Sequence, residues 1–407
     1  MPARMWRHRI HPFLEILRHR LPYSLDYMVT FIAMAYSIIT VLYETVPAFE
    51  DTCLECLGDL CYYWMAIEVD IKDCEVWTNV ARSWYSKAAD KKPQVGRLYH
   101  HIAILARPNL LQQLFFYAKS LTVTVPFSLA RESILSLFEP VLSNKSTAVR
   151  PMDVCLVTLH GIWFTRINLD RFDGVLDEYL GLLDKHISKV GEKWTVQGCL
   201  IAVSNIAALY QYSNVMGGAT VKEAVKEEDP GETTTELTAA AIKHGASDES
   251  SWVYAIKMGF QILNLVLHRI DDSHILPHIH AWMAFLFHIK ESIPAICLLE
   301  IDFPWESLTS LLNLLIKEEP LDFEQDDFPV RQGRPLPEDW TLRGLEWTRE
   351  YFPVGFIENA IVDDEERLLE LPSFLSLRKQ RILWLAHMIA KVGRRASDGR
   401  TGLLTNR

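Results

Sequence analysis

The residues best suited to bind a metal are cysteines grouped in the first fifth of the chain. Cys53, Cys56 and Cys61 are close together, and Cys74 follows them. A structural zinc site normally combines two short Cys/His pairs from separate turns. These cysteines instead lie in an apolar stretch with helical periodicity, where a thiol packs as a small apolar group. We therefore interpret them as core residues and predict neither a metal site nor a cofactor.

Histidines and carboxylates give no clear sign of catalysis. His274 and His278 lie four residues apart and would share a helix face. The segment lacks the glutamate of the H-E-x-x-H zinc motif. Residues 363–366 are all acidic, but they are consecutive, whereas metal-dependent hydrolysis needs carboxylates that converge on one point. No glycine-rich nucleotide-binding or G-x-S-x-G motif occurs. The sequence therefore predicts a protein that is not an enzyme.

Basic side chains could bind phosphates or acidic peptides in three places. The net charge of −11 argues against a general nucleic-acid binder, so such a role would need a local basic face. Residues 1–20 contain five arginines and one glutamate, and residues 377–407 contain eight basic residues and one aspartate. The middle cluster consists of Lys87, Lys91, Lys92, Arg97, Arg107 and Lys119. Two interpretations stay open: a solvated surface that offsets an acidic chain, or one rim of a binding groove.

A rim of this kind would need a scaffold of stacked helices, and the spacing of small and aromatic residues predicts one. Helical hairpins of the tetratricopeptide type place a small residue, an aromatic, a second small residue and a proline at fixed intervals. This pattern occurs at Ala81, Tyr85, Ala88 and Pro93, and returns 33 residues later, with large and small exchanged, at Leu114, Ala118, Leu121 and Pro126. The predicted fold is an all-α, tetratricopeptide-like array, or α-α superhelix.

Composition divides the chain further. Residues 1–150 are predicted to form one helical domain, followed by helical hairpins. The predicted later segments are hairpins at 151–212, a disordered acidic linker at 213–251, hairpins at 252–320, an irregular Pro/acid-rich loop at 321–341, a helical unit at 342–392 and a basic disordered tail at 393–407.

One apolar stretch resembles a membrane span in composition. Residues 27–43 are uncharged, but a span needs about 20 predominantly apolar residues. We predict a buried core helix and no membrane association. The absence of a signal-peptide pattern and the odd number of cysteines favour an intracellular protein of the nucleus, the cytoplasm or both.

Several segments together resemble the Ever-shorter-telomeres family, and are closest to its filamentous-fungal members. The similarity covers most of residues 6–390, although 150–335 matches only in helical character. The segments that carry it are WYSKA at 84–88, GRLYHHIAILA at 96–106, FFYAKSL at 115–121, LPED at 336–339, LRG at 342–344, YFP at 351–353 and RILWL at 381–385.

The resemblance implies a partial 14-3-3-like N-terminal part that merges into tetratricopeptide repeats, with helical hairpins after them. It also implies a DNA/RNA-binding domain in an adaptor that serves telomerase regulation and nonsense-mediated mRNA decay. The implied partners are telomerase or RNA-decay proteins, with single-stranded DNA or RNA as a further candidate.

One motif departs from the family pattern. The family's phosphate-binding helix carries a Leu-Gly-Asp-Leu-x-Arg-Tyr-Arg run, and here Tyr62 and Trp64 replace both arginines. Only arginine offers bidentate, charge-assisted bonds to a phosphate. Arg7 is a candidate for a residual phosphate contact. Three hypotheses follow: an adaptor that binds proteins, a protein that binds nucleic acid directly, and a diverged paralogue that has lost phosphopeptide recognition. The oligomeric state is left open.

Overall fold

The computed structural model describes most of the chain and confirms the all-α helical array. Its described residues form helices and turns, and their only β contacts are isolated bridges between Val95 and Val125 and between Val123 and Leu345. Nearly all of the predicted linker, part of the predicted irregular loop and part of the acidic run at 363–366 lie outside the described residues. The described ranges are 2–143, 150–212, 251–319, 327–330, 334–360, 362, 366–367 and 369–404.

The first half contains the predicted repeat pair. Its helices are α1 (Pro2–Met5), α2 (His11–Arg18), α3 (Leu25–Thr45), α4 (Glu50–Ile67), α5 (Ile71–Lys91), α6 (Gly96–Leu105) and α7 (Leu110–Thr122). Asp70 and Asn109 cap α5 and α7, because their side chains accept the otherwise unpaired amide hydrogens of Lys72 and Gln112. Helices α4 and α5 pack as one hairpin and α6 and α7 as the next. Ala81, Tyr85, Ala88, Leu114 and Leu121 are buried, as the repeat pattern predicts.

The second half continues the stack around one shared core. Its helices are α8 (Ala130–Ser133), α9 (Leu135–Leu142), α10 (Pro151–Thr165), α11 (Phe172–Val190), α12 (Trp194–Tyr212), α13 (Ser251–Leu267), α14 (Leu276–Ile289), α15 (Ile293–Glu300), α16 (Trp305–Glu318), α17 (Pro337–Leu342) and α18 (Pro372–Leu404). Helix α12 lies between α7 and α14, and α14 also packs against α18. The described core therefore runs continuously from the repeat pair to the C-terminal helix.

Three predicted segments have different secondary structure. The end of the predicted irregular loop is helical in α17, which Pro337 begins and which the Asp339 carboxylate caps at the Leu336 amide, 2.9 Å away. Much of the predicted unit 342–392 is instead a series of turns, because Gly344 and Gly355 adopt positive φ and α18 begins only at Pro372. The predicted tail is helical as far as Leu404.

Helix α17 and the turns that follow it pack back against the repeat pair. We call residues 336–352 the C-terminal clasp. The Lys119 ammonium donates to the Thr341 carbonyl at 2.7 Å, and the Thr124 amide donates to the Gly344 carbonyl at 3.2 Å. The Arg343 guanidinium pairs with Asp90 on α5. These contacts join segments more than 200 residues apart and close the array on itself.

Helix α3 is a core helix on one side only. Met28, Ile32, Ala35 and Ile39 are buried. Only 22% of its most apolar window is buried, although the helix is long and apolar enough to cross a membrane by length and composition. The prediction of a buried core helix is therefore wrong for the remaining face.

Candidate partner-binding surface

Half of the predicted basic cluster is paired with carboxylates of α4. Lys92 lies 2.9 Å from Asp51, and Arg97 contacts Glu55 directly. Burial raises the pKa of Glu55, and the charge of Arg97 opposes this shift. We call these pairs the ion-pair row, which consists of Glu50, Asp51, Glu55, Lys91, Lys92 and Arg97. Because each cation faces an anion, the row presents little net positive charge.

The other three cations of the cluster lie apart from the row. Lys87 is exposed and lies over the Trp84 ring at 5.0 Å. Arg107 is exposed and donates to the Ser136 hydroxyl at 3.3 Å. Lys119 is buried beneath the C-terminal clasp, so its predicted place on a binding rim is wrong. Burial lowers the pKa of Lys119 to about 7, with a further contribution from the charge of Arg343. The six predicted residues therefore do not form one basic rim.

The two positions that carry aromatics in place of the family's arginines point in different directions. Tyr62 is half-buried against the shared core, and Trp64 packs on a second, smaller core formed by α2, α3 and α4, which we call the N-terminal core. The Trp64 ring stacks on Trp77 of α5, with centroids 4.2 Å apart and planes at 14°. Arg7 is exposed in the π-helical segment between α1 and α2. This part of α4 offers a partly exposed aromatic surface, suited to apolar contact and not to bidentate phosphate binding.

The Gly-Asp of the same motif supports the repeat core. The Tyr85 hydroxyl donates to the Asp59 carboxylate at 2.5 Å, and the Tyr85 ring stacks on His101 at 4.6 Å. A Cβ at Gly58 would lie 2.8 Å from this ring, so a larger residue there would displace Tyr85 from its place between α4 and His101. Burial raises the pKa of Asp59 and lowers that of His101 to about 3. These groups hold α4, α5 and α6 together.

A second set of charged and polar residues, which sequence reasoning missed, lies in the interior where α18 packs on the rest of the array. We call it the buried ionic cluster: His280, Glu338, Asp339, Tyr351, Arg378 and Arg381. Arg378 forms a bidentate pair with Glu338 at 2.5 and 2.9 Å, and the His280 ring nitrogen lies 3.0 Å from the same carboxylate. Burial raises the pKa of Glu338, but the charge and hydrogen bonds of Arg378 and His280 hold it well below its ordinary value.

The sequence contained a signal for this cluster. Glu338 and Asp339 fall in LPED, and Arg381 begins RILWL, two segments that carry the family resemblance. A charged residue beside an apolar run at either place is a candidate buried ion, but its partner lies 40 residues or more away. The buried ionic cluster takes residues from the clasp, from α18 and from α14, and it lies below the surface. We therefore infer that it holds these three parts of the chain together.

Most of the candidate metal ligands are core residues, whereas Cys74 and His274 are only half-buried. Cys53, Cys56 and Cys61 are buried free thiols on α4. The His278 Nδ1 donates a 2.8 Å hydrogen bond to the Gly198 carbonyl, because a carbonyl oxygen can only accept. Across the described ranges, no three His, Cys, Asp or Glu residues are placed to hold a metal ion.

Comparisons with known proteins agree with this architecture. A family model described as the Est1 DNA/RNA binding domain matches residues 81–352, a range that begins at the first repeat position and ends with the clasp. The telomerase-binding protein EST1A of Danio rerio is 34% identical over 102 residues, which cover 25% of this chain and 6% of that protein. A crystal structure of Est1 and Cdc13 aligns with a TM-score of 0.63 at 12% identity, over 96% of this chain and 86% of that one. The structural match concerns the fold.

Proposed function

Because the chain belongs to the Est1 DNA/RNA binding domain family, we propose that it is a non-catalytic adaptor that binds a protein partner. The proposed partner is a factor of telomerase or of nonsense-mediated mRNA decay, and the proposed location is the nucleus. The zebrafish relative is named for telomerase binding, which supports the telomerase context. A telomerase partner would place the chain in the nucleus, and an RNA-decay partner would extend the proposed location to the cytoplasm.

The Trp64–Trp77 stack carries this proposal. It lies at the place where the family pattern has phosphate-binding arginines, and it is partly exposed. Tryptophan is enriched at the centres of protein interfaces because one rigid ring buries a large apolar area. We infer that the partner segment brings apolar or proline side chains, with no phosphate.

Affinity purification of the full chain, with nuclease treatment and quantitative mass spectrometry, tests the adaptor. We expect telomerase or RNA-decay proteins to remain bound after nuclease treatment, and Trp64→Ala to reduce their recovery by about fivefold or more. Trp305→Ala is the matched control, since Trp305 is an exposed tryptophan on α16. Thermal melts of each variant check folding. Recovery of nucleic acid with no protein partner would contradict the proposal.

Direct nucleic-acid binding is a second candidate, favoured by a different set of cations. Arg4, Arg7, Arg9 and Arg20 are exposed and, within the described ranges, form no ion pair. A salt titration of single-stranded DNA or RNA binding distinguishes the sites. If these arginines bind phosphates, replacing Arg7 and Arg9 with Gln makes the slope of log K against log salt less negative by about 1.4, and replacing Lys91 and Lys92 leaves the slope unchanged.

Loss of phosphopeptide recognition is a third candidate, and the aromatics at Tyr62 and Trp64 favour it. Calorimetry with matched phosphorylated and unphosphorylated peptides of an RNA-decay factor tests this loss. We expect equal affinities for the two peptides. A much tighter complex with the phosphorylated peptide would show that other cations have replaced the two arginines.

A further inference from the structure

Helix α3 carries an apolar stripe that no described part of the chain covers. Tyr27, Met34, Ile38 and Val41 are 73%, 53%, 49% and 57% exposed. Their spacing places them on one side of the helix, about a third of a turn away from the face that packs on the N-terminal core. A monomeric soluble protein rarely exposes an extended apolar face without an interaction that buries it.

The threonine and serine hydroxyls along this stripe are already satisfied. Thr30 and Ser37 donate their hydroxyls to the Asp26 and Ala33 carbonyls, one turn earlier, at 2.8 and 2.9 Å. The stripe contains no charge between Asp26 and Glu44. A neighbour that covered the stripe would therefore strand no hydrogen-bonding group, provided that the Tyr27 hydroxyl stays in contact with water at the edge of the interface, and this lowers the cost of desolvation.

The stripe is long enough for an interface between helices. Helix α3 has 21 residues and so extends about 30 Å. Helix α2 widens the surface, because Phe13 packs edge-on against Phe31 at 4.7 Å and Ile16 beside it is exposed. The recurrence of Tyr27, Met34 and Val41 every seven residues is the spacing that keeps one helix against another.

We propose that the stripe binds a second copy of this chain, with the two α3 helices antiparallel and the twofold axis beside Met34. In this arrangement Tyr27 faces Val41 of the other copy, and Thr30 faces Ile38 of the other copy. Each large side chain then meets a smaller one, and Met34 meets its own counterpart. A surface that is complementary to itself in this way is what an isologous dimer requires.

The charges at the ends of α3 favour the antiparallel direction. Arg20 is exposed in the turn before the helix, and Glu44 is exposed in its last turn. Antiparallel packing places Glu44 of each copy beside a segment of the other that holds both Arg20 and the exposed Asp26, so one attraction offsets one repulsion. Parallel packing would place like charges together. The surface precedes residues 81–352, so it lies outside the region that the family model matches, and the inference does not depend on the proposed function.

Sedimentation of the purified full chain tests the dimer. We expect a species of twice 46.9 kDa at micromolar concentration, and we expect Met34→Arg to weaken association by about 100-fold or more, since it places two cations against each other on the axis. Val196→Arg is the control, because Val196 is also exposed but lies on α12. Circular dichroism melts confirm that each variant is folded.

Cysteine cross-linking tests the position of the axis. Met34→Cys is expected to form a disulfide-linked dimer on mild oxidation, beyond the background of the wild-type thiols. Val41→Cys is not, because the two copies of residue 41 would lie about 20 Å apart. Equal cross-linking of both variants, a wild type that stays monomeric at tens of micromolar, or a Met34→Arg protein that stays dimeric would each overturn the proposal. So would a monomer whose stripe binds vesicles of equal parts phosphatidylcholine and phosphatidylserine, with that binding lost in Met34→Arg.

Discussion

The ion-pair row and the buried ionic cluster use the same side-chain chemistry in opposite surroundings. Lys91 and Glu50 of the row are 41% and 33% exposed, whereas Arg378 and Glu338 of the cluster are each 2% exposed. Water and salt screen the charges of the row, so each pair contributes little to stability. The cluster has lost its hydration, and each ion there depends on its partner.

This difference separates the residues that can report on binding from those that cannot. Neutral substitutions in the row should leave the fold intact, so a change in partner affinity there reports on the surface. Substitutions in the cluster should loosen the clasp and α18, and any loss of binding would then follow from unfolding. A binding study of this protein therefore needs stability measurements on both regions.

The largest effect is expected from Arg378→Met. This substitution leaves the Glu338 carboxylate buried without its bidentate partner, which should lower the free energy of unfolding by about 3 to 5 kcal/mol. Urea unfolding followed by circular dichroism measures the change. Lys379→Met is the matched control: Lys379 is the next residue and pairs with Glu318 at 2.7 Å near the surface, so its loss should cost less than about 1 kcal/mol. Similar losses in the two variants would remove the distinction between the regions.

A smaller but still large effect is expected where the clasp meets the repeat pair. Gly344 has φ +82°, and a Cβ there would lie 2.0 Å from the Pro93 carbonyl oxygen. Gly344→Ala should therefore lower the free energy of unfolding by about 2 kcal/mol or more, through strain and displacement of the clasp. Gly174→Ala on α11 is the control, since a Cβ there meets nothing within 4 Å and should stabilise the helix by about 0.5 to 1 kcal/mol. A neutral Gly344→Ala would show that the clasp is not closely packed.

Sequence reasoning succeeded where the signal is local. Ala81 and Tyr85 carry the volume pattern of a helical hairpin, and Pro93 marks the end of their helix. These features depend on neighbours within one or two turns. The helical array was predicted on this basis and the family from the resemblance of several short segments, and both are confirmed. The 14-3-3-like character of the N-terminal part and the predicted binding residues on the surface stay predictions.

Sequence reasoning failed where the deciding contact is distant. Lys119 lies on a helix with the usual amphipathic spacing, and only the return of Thr341, 222 residues later, buries it. Asp59 and Glu338 also look like surface carboxylates until Tyr85 and Arg378 are placed beside them. The apolar residues of α3 predict that its exposed face is covered, but they do not identify the molecule that covers it.

Lys119 provides an intermediate case with a pH signature. Its pKa is about 7 in the folded protein and near 10.5 when unfolded, so between these values the unfolded chain holds a proton that the folded chain lacks. The free energy of unfolding should therefore rise with pH from about 7 to 8, by about 1 kcal/mol per unit, and Lys119→Met should remove this rise. Above about pH 8, the buried thiols act in the opposite direction, because burial raises their pKa values, that of Cys61 to about 12. Lys87→Met, at an exposed lysine, should keep the wild-type slope; a rise that persists in Lys119→Met would assign it to another group.

The smallest effect is expected in the ion-pair row, and it decides whether the row is only a surface feature. A double-mutant cycle of Arg97→Gln and Glu55→Gln should give a coupling of about 0.5 kcal/mol at 0.1 M salt and near zero at 1 M, because both side chains keep some contact with water. The Arg378–Glu338 cycle, measured in the same way, should give a coupling several times larger that salt hardly changes. Coupling of similar size in both cycles would mean that the row is part of the folded core. Arg97→Gln would then be unsuitable as a test of partner binding, and the Trp64–Trp77 stack would be the better position for one.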